Sequence, residues 1–139
     1  MTTKRPYTDS VNRLRKAKLR PTRQRLALAR LLYDGDDRHV TAEMLHDEAM
    51  RSKVRVSLAT VYNTLHQFRD AGLLREVVVQ PGRSYFDTNT TDHHHFLNEE
   101  TGELRDIPAA ALRFESLPDA PAGSEIRRVD VIIRLRPNS

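Results

Sequence analysis

The chain has 139 residues, 38% hydrophobic and 30% charged, with a net charge of +4 and no cysteine. A modest core is possible, while disulfides, thiolate nucleophiles and cysteine-ligated zinc are excluded. The longest apolar stretches, around Leu26–Tyr33 and Val77–Val79, are too short to cross a bilayer, and no signal peptide is read, so the expected setting is cytoplasmic without a membrane partner.

Charge is placed unevenly. Residues 1–30 carry ten bases (Lys4, Arg5, Arg13, Arg15, Lys16, Lys18, Arg20, Arg23, Arg25 and Arg30) against one acid, Asp9. The rest of the chain carries more acids than bases. A basic arm on a mildly acidic body suits a polyanion partner, although a solvated basic helix has the same composition.

In chain order, Ser10 to Lys18 predicts a short basic helix with Val11 and Leu14 inward, interrupted at Leu19-Arg20-Pro21 because proline disfavours helix in the residue before it. Thr22 is a capping residue for a second helix to about Tyr33, with Leu28, Leu31 and Leu32 at helical spacing. Asp34 to Asp37 is a loop, and Thr41 caps a third helix with Ala42, Leu45 and Ala49 on one face. Ser57 caps a fourth helix that should stop at Gly72, its stripe Leu58, Val61, Leu65 and Phe68 inward and Ala59, Thr60, Asn63 and Gln67 outward. Leu73–Val79 and Arg83–Asp87 then predict a hairpin around Gln80-Pro81-Gly82.

Helices followed by a hairpin, with a small polar face on the last helix, is the order of a winged helix-turn-helix. The predicted class is α+β, with a winged-helix DNA-binding domain over residues 1–87 and a small α/β sensing and dimerisation domain over 88–139. In that second part strands are predicted at His95–Asn98 and Glu103–Asp106, a brief helix at Pro108–Phe114, a loop at Leu117–Gly123 and a closing strand at Ile126–Leu135. So small a domain gains core by dimerising across its sheet.

The densest chemistry is Asp87 to Phe96, "DTNTTDHHHF". On a strand, His93 and His95 share one face and His94 takes the other. Two imidazoles on one face suit a metal ion or haem, and Asp87, Asp106 and the isolated His39 could complete a five-ligand N/O shell. A polar surface run of histidines is the plainer reading. His46, His66 and Asp119 carry no such pattern and are expected at the surface.

The segments "LRPTRQRLALARLL", "HVTAEMLHDEA", "VSLATVYNTLHQFRDAGLL", "SYFDT" and "HHHF" together resemble the ferric uptake regulator (Fur) superfamily over about residues 9–136. Within it, Asn63 after "TVY", the unbroken "HHHF" and "VDVIIRLR" most resemble the iron response regulator (Irr) branch. The resemblance implies an iron- or haem-responsive regulator, mainly a repressor of iron and haem metabolism genes, acting as a homodimer on AT-rich operator DNA. It implies a recognition helix from Ser57 to Gln67, including Thr60 and Asn63, with Tyr62 against thymine methyls and Arg20 in a minor groove. Arg23 and Arg25 become phosphate-contacting or core-supporting positions. His39, Asp87, His93, His95 and Asp106 match the family's regulatory metal site, for Fe2+ or Mn2+ with Zn2+ as a surrogate. In the Irr branch the histidine run, here His93, His94 and His95, also serves haem, and the two ligand assignments compete.

Departures matter too. Asn98 and Thr101 stand where many members carry the first pair of zinc-binding cysteines, so no structural zinc held by four cysteines is expected. An N-terminal Cys-Pro haem motif is missing, and Arg127 or Arg128 stands near the place of a histidine from another metal site. Two alternatives remain: a regulator sensing Mn, Fe or Zn directly without haem, and a small metallohydrolase. The latter lacks a His-Glu-x-x-His motif and an evident nucleophile.

Overall fold

A computed structural model describes residues 7–138; Lys4 and Arg5 of the basic arm lie outside the described residues. The fold is mixed α+β and falls into two compact units that part between Thr90 and Thr91.

The larger unit contains α1 (Thr8–Lys16), α2 (Arg23–Tyr33), β1 (His39–Val40), α3 (Ala42–Arg51), α4 (Leu58–Asp70), β2 (Arg75–Gln80) and β3 (Arg83–Asp87). Three of the helices start on the expected caps: Thr22, Thr41 and Ser57 accept hydrogen bonds from the backbone N–H of Arg25, Met44 and Thr60. Helix α4 ends at Ala71, and Gly72 adopts φ 81° so that Leu73 N–H can return to the Phe68 carbonyl. Two further helix ends use left-handed residues that are not glycine, Lys18 at φ 61° and Lys53 at φ 60°. Each sits in a turn closed by backbone hydrogen bonds, Leu19 N–H to Leu14 O and Val54 N–H to Ala49 O.

The core of this unit joins Leu14, Leu28, Leu32, Leu45, Leu65 and Phe68 from the helices to Val40 and Phe86 from the sheet. Leu58, expected inward, is instead 37% exposed, and Thr64 takes the inner position. Leu58 is the first residue of its helix, so the buried stripe begins one turn later, at Val61, Thr64, Leu65 and Phe68. Strand β2 starts at Arg75, two residues later than predicted, because Leu73 is consumed by the end of α4. The sheet order is β1-β3-β2, antiparallel, with Gly82 at φ 74° turning the hairpin. The two-residue β1 was not foreseen; it sets His39 directly opposite Asp87 on β3.

The smaller unit contains β4 (His93–Asn98), β5 (Leu104–Pro108), a single 3-10 turn (Ala109–Ala111) and β6 (Ile132–Leu135), in sheet order β5-β4-β6. The strand expected from His95 begins at His93, so all three histidines are in the ladder. Two expectations fail here. The helix over Pro108–Phe114 shrinks to Ala109–Ala111, which buries no residue and so lacks the apolar face that would hold a longer helix down. The closing strand over Ile126–Leu135 is strand only from Ile132, where it runs parallel to β4 from His95 to Asn98; just before it, Val131 O still accepts from His95 N–H, while its N–H is taken by the His94 side chain instead of the ladder. The buried apolar residues of this unit are Leu97, Leu104 and Ile107, joined by the buried imidazoles of His93, His94 and His95.

Candidate functional site

The larger unit presents the residues expected to face nucleic acid, and their hydrogen bonds divide them by role. Ser57 caps α4 and donates its hydroxyl to Thr60 Oγ1 at 2.9 Å, so both hydroxyls are committed to the helix start. Asn63 is exposed on the outer face. Gln67 is drawn into a brace: its Oε1 accepts from Arg25 Nε at 3.3 Å and Arg25 Nη2 at 3.0 Å. Arg25 Nη1 donates in turn to the Arg20 carbonyl at 3.0 Å. Of the two roles open to Arg25, support matches these contacts, since its guanidinium ties the segment before α2 to the last turn of α4. Arg20 and Arg23 are exposed.

Tyr62 is held from a direction the sequence does not reveal. Its hydroxyl donates to Glu43 Oε1 on α3 at 2.6 Å. That bond pushes the Tyr62 phenol above its ordinary range and holds the Glu43 carboxyl below its own. Glu43 was missed because a contact between two helices leaves no mark in the periodicity of either.

Histidine and carboxylate side chains meet within each unit separately. On the larger unit His39 Nε2 lies 3.5 Å from Asp87 Oδ2. Asp87 is buried and its other oxygen, Oδ1, accepts from Asn89 N–H at 2.9 Å, which fixes the carboxylate plane. On the smaller unit His93 Nε2 and His95 Nε2 lie 3.2 and 3.4 Å from the same oxygen, Asp106 Oδ1. Alternation does what was expected of it: the His93 and His95 rings meet at 4.5 Å between centroids, while His94 turns away, its Nδ1 accepting from Val131 N–H at 3.1 Å.

The proton positions follow from one contact. His93 Nδ1 lies 2.7 Å from the Thr91 carbonyl, which can only accept, so Nδ1 carries the proton and donates. In the neutral ring Nε2 then points a lone pair at a carboxylate oxygen, an arrangement that requires a cation, proton or metal, between the two. The separations of 3.2 and 3.4 Å around Asp106 are those of donors that could share an ion; metal–ligand bonds of about 2.1 Å place adjacent donors about 3.0–3.4 Å apart. The donor set is imidazole and carboxylate, which suits Fe, Mn and Zn. The hydrogen bonds from His93 Nδ1 to Thr91 and from Asn89 to Asp87 are the outer supports such ligands need. In the turn that follows β4, Asn98 Oδ1 accepts from the N–H groups of Glu100 and Thr101, and Thr101 Oγ1 accepts from Glu103 N–H. Asn98 and Thr101 thus close the turn by hydrogen bonds. His46 and His66, expected at the surface, are half-buried instead, His46 Nε2 lying 3.1 Å from the Val56 carbonyl and His66 packing between the Tyr62 and Phe86 rings.

Comparison with known proteins gives a consistent result. Residues 16–121 match the sequence profile of the Ferric uptake regulator family. The Peroxide-responsive repressor PerR of Staphylococcus epidermidis is 36% identical over 99 residues, 71% of this chain and 65% of that protein, so the chain spans under two thirds of that relative's length. Among solved structures, the ferric uptake regulator of Pseudomonas aeruginosa with manganese superposes with a TM-score of 0.69 at 27% identity, covering 92% of this chain and 97% of that one. The fold is also that of the Vibrio cholerae ferric uptake regulator, at a TM-score of 0.73 and 23% identity over 93% of this chain and 100% of that one.

Proposed function

This chain belongs to the ferric uptake regulator family, and from that premise we propose that it is a metal-sensing transcription regulator, mainly a repressor, binding AT-rich operator DNA as a cytoplasmic homodimer. The DNA reader is residues 1–87, with α4 as recognition helix and the β2–β3 hairpin as wing. Arg20 and Arg23 supply cations, Ser57, Thr60 and Asn63 line the helix, Tyr62 reads a thymine, and Arg25 with Gln67 braces the head. Residues 88–139 form the sensing and dimerising part. No helix among the described residues is long and apolar enough to cross a membrane.

The observation that carries the sensing role is the approach of His93 Nε2 and His95 Nε2 to one oxygen of Asp106, with His93 Nδ1 already committed to Thr91. His39, Asp87, His93, His95 and Asp106 are the proposed shell for Fe2+ or Mn2+, with Zn2+ able to occupy it; the P. aeruginosa relative is described with manganese. A bound divalent ion supplies a fixed positive charge that all five donors can share. Because His39 and Asp87 belong to the DNA-reading part and the other three do not, occupancy would bias the reader's orientation, as a switch requires.

Haem is the second reading, on the Irr-like markers Asn63 and His93-His94-His95-Phe96, and the same-face pair His93 and His95 favours it. Both rings are buried, however, and a haem ligated at Nε2 needs a wide opening in front of that nitrogen for the macrocycle, whereas an ion does not. The test titrates wild type and a His93→Ala/His95→Ala variant with Mn2+ and with haemin, following duplex binding. Loss of the Mn2+ response in the variant is expected. A nitrogen-ligated Soret band in wild type, lost in the variant, would favour haem. An unchanged response to both ligands would remove the histidine run from sensing altogether.

A further inference from the structure

We infer that Glu43 is a specificity-determining residue of the DNA-reading head, acting by positioning the Tyr62 ring; this rests on the DNA-reading role proposed for α4. Glu43 lies in the first turn of α3, is exposed, and accepts the Tyr62 hydroxyl at 2.6 Å. An acid on a surface meant for a polyanion weakens attraction to phosphate, so its presence calls for a compensating role. Its partners supply one.

Tyr62, His66 and Phe86 form a ladder of rings, with centroids 6.2 and then 5.8 Å apart, running from α4 to β3 of the wing. This ladder backs a groove of about 660 Å³ whose walls include Glu43 and the wing residue Arg83. The ladder fixes the inner edge of the Tyr62 ring and Glu43 fixes its outer end. A phenol rotates about two side-chain bonds, and a ring pinned at both ends presents one edge to a base rather than sweeping several. Arg83 adds to this, since its charge helps hold the Glu43 carboxyl ionised, the strongest contribution coming from the Tyr62 hydroxyl. Glu43 therefore ties α3 to the reading helix through one carboxylate, on a groove that Arg83 of the wing also lines.

The consequence for recognition is specific. Without Glu43 the head keeps its cations, and general attraction to duplex DNA should hold or rise, while discrimination at the base step read by Tyr62 should fall. A glutamine retains an acceptor oxygen and should restore part of the discrimination; an alanine should not.

The experiment selects bound sequences from a random duplex library with wild type, Glu43→Ala, Glu43→Gln and Tyr62→Phe proteins, and measures each protein's affinity for the winning duplex against a scrambled one. We expect Glu43→Ala and Tyr62→Phe to lose preference at the same base step, by about 3- to 10-fold, the range of one hydrogen bond. The double variant should lose no more than either single one. A second readout needs no DNA: alkaline difference absorbance against Tyr62→Phe should show the Tyr62 phenol ionising at lower pH in Glu43→Ala than in wild type. If Glu43→Ala tightens all sequences equally with preference intact, Glu43 is only a surface charge and the inference is overturned, while the DNA-reading role stands. Should wild type enrich no sequence, that role and this inference fall together.

Discussion

Replacing Arg25 by methionine separates a structural brace from a phosphate contact. The guanidinium makes two hydrogen bonds to Gln67 Oε1 and one to the Arg20 carbonyl, all near the surface. A net hydrogen bond is worth about 0.5–1.5 kcal/mol, and solvent screening puts these at the low end, so Arg25→Met should cost about 1 kcal/mol for the set. For a unit of this size that is a fall of about 4–8 °C in melting temperature. Duplex affinity should fall severalfold, because the segment carrying Arg20 loses its tie to α4. Lysine should fare no better than methionine, since an ammonium cannot reach Gln67 and the Arg20 carbonyl with one planar fork. The assay pairs thermal unfolding with duplex binding across a salt series. A phosphate contact predicts the reverse: a salt slope shallower by about 0.9, rescue by lysine and no change in melting. That outcome, or strict additivity of Arg25→Met with Gln67→Ala, would refute the brace.

Other outcomes can be checked alongside. Tyr33 donates its hydroxyl to the Leu73 carbonyl at 2.6 Å, and burial raises its phenol well above the ordinary range. The folded value exceeds the unfolded one, so this stabilisation is complete below about pH 10 and is lost as pH rises beyond it; wild type should exceed Tyr33→Phe by about 1 kcal/mol at pH 7 in urea unfolding, with the gap closing at high pH. An unchanging gap would count against that assignment. Asp106→Asn should weaken Mn2+ binding at least tenfold by calorimetry, as removal of a carboxylate ligand does; equal affinity would exclude Asp106 from the shell. Exposed Phe114, Leu117, Ile126 and Leu135 crowd the smaller unit's sequence, and sedimentation at micromolar concentration should find a dimer; a monomer would contradict that expectation.

The larger unit was legible because its signals are local. Threonine and serine caps, one glycine stop and apolar residues at helical spacing fixed α2 and α4 nearly to the residue and the start of α3, and Pro81-Gly82 fixed the hairpin. What escaped was non-local. The strand His39–Val40 is two residues long and exists only because β3 lies beside it, so nothing in His39 or Val40 alone announces it. The ligand types were readable from composition, but the proton on His93 depends on the Thr91 carbonyl, a backbone group with no sequence signature. The closing strand was overestimated because β-branched residues continue past the point where β4 can pair with them. Propensity marks what a segment tolerates; the neighbour decides where pairing stops.

Lys18 and Lys53 adopt a backbone conformation that glycine enters without strain and that costs other residues about 1–2 kcal/mol. Both occupy the turns that end α1 and α3, just ahead of the two helices that carry Arg23 and Tyr62. Glycine at either place should raise the melting temperature and remove a cation. The pair therefore marks a trade of folding stability for charge, of the kind found where a surface is tuned to a partner rather than to its own fold. If Lys18→Gly and Lys53→Gly raise thermal stability and weaken duplex binding together, that trade is measured directly. Gains in both would show that these lysines answer to neither demand.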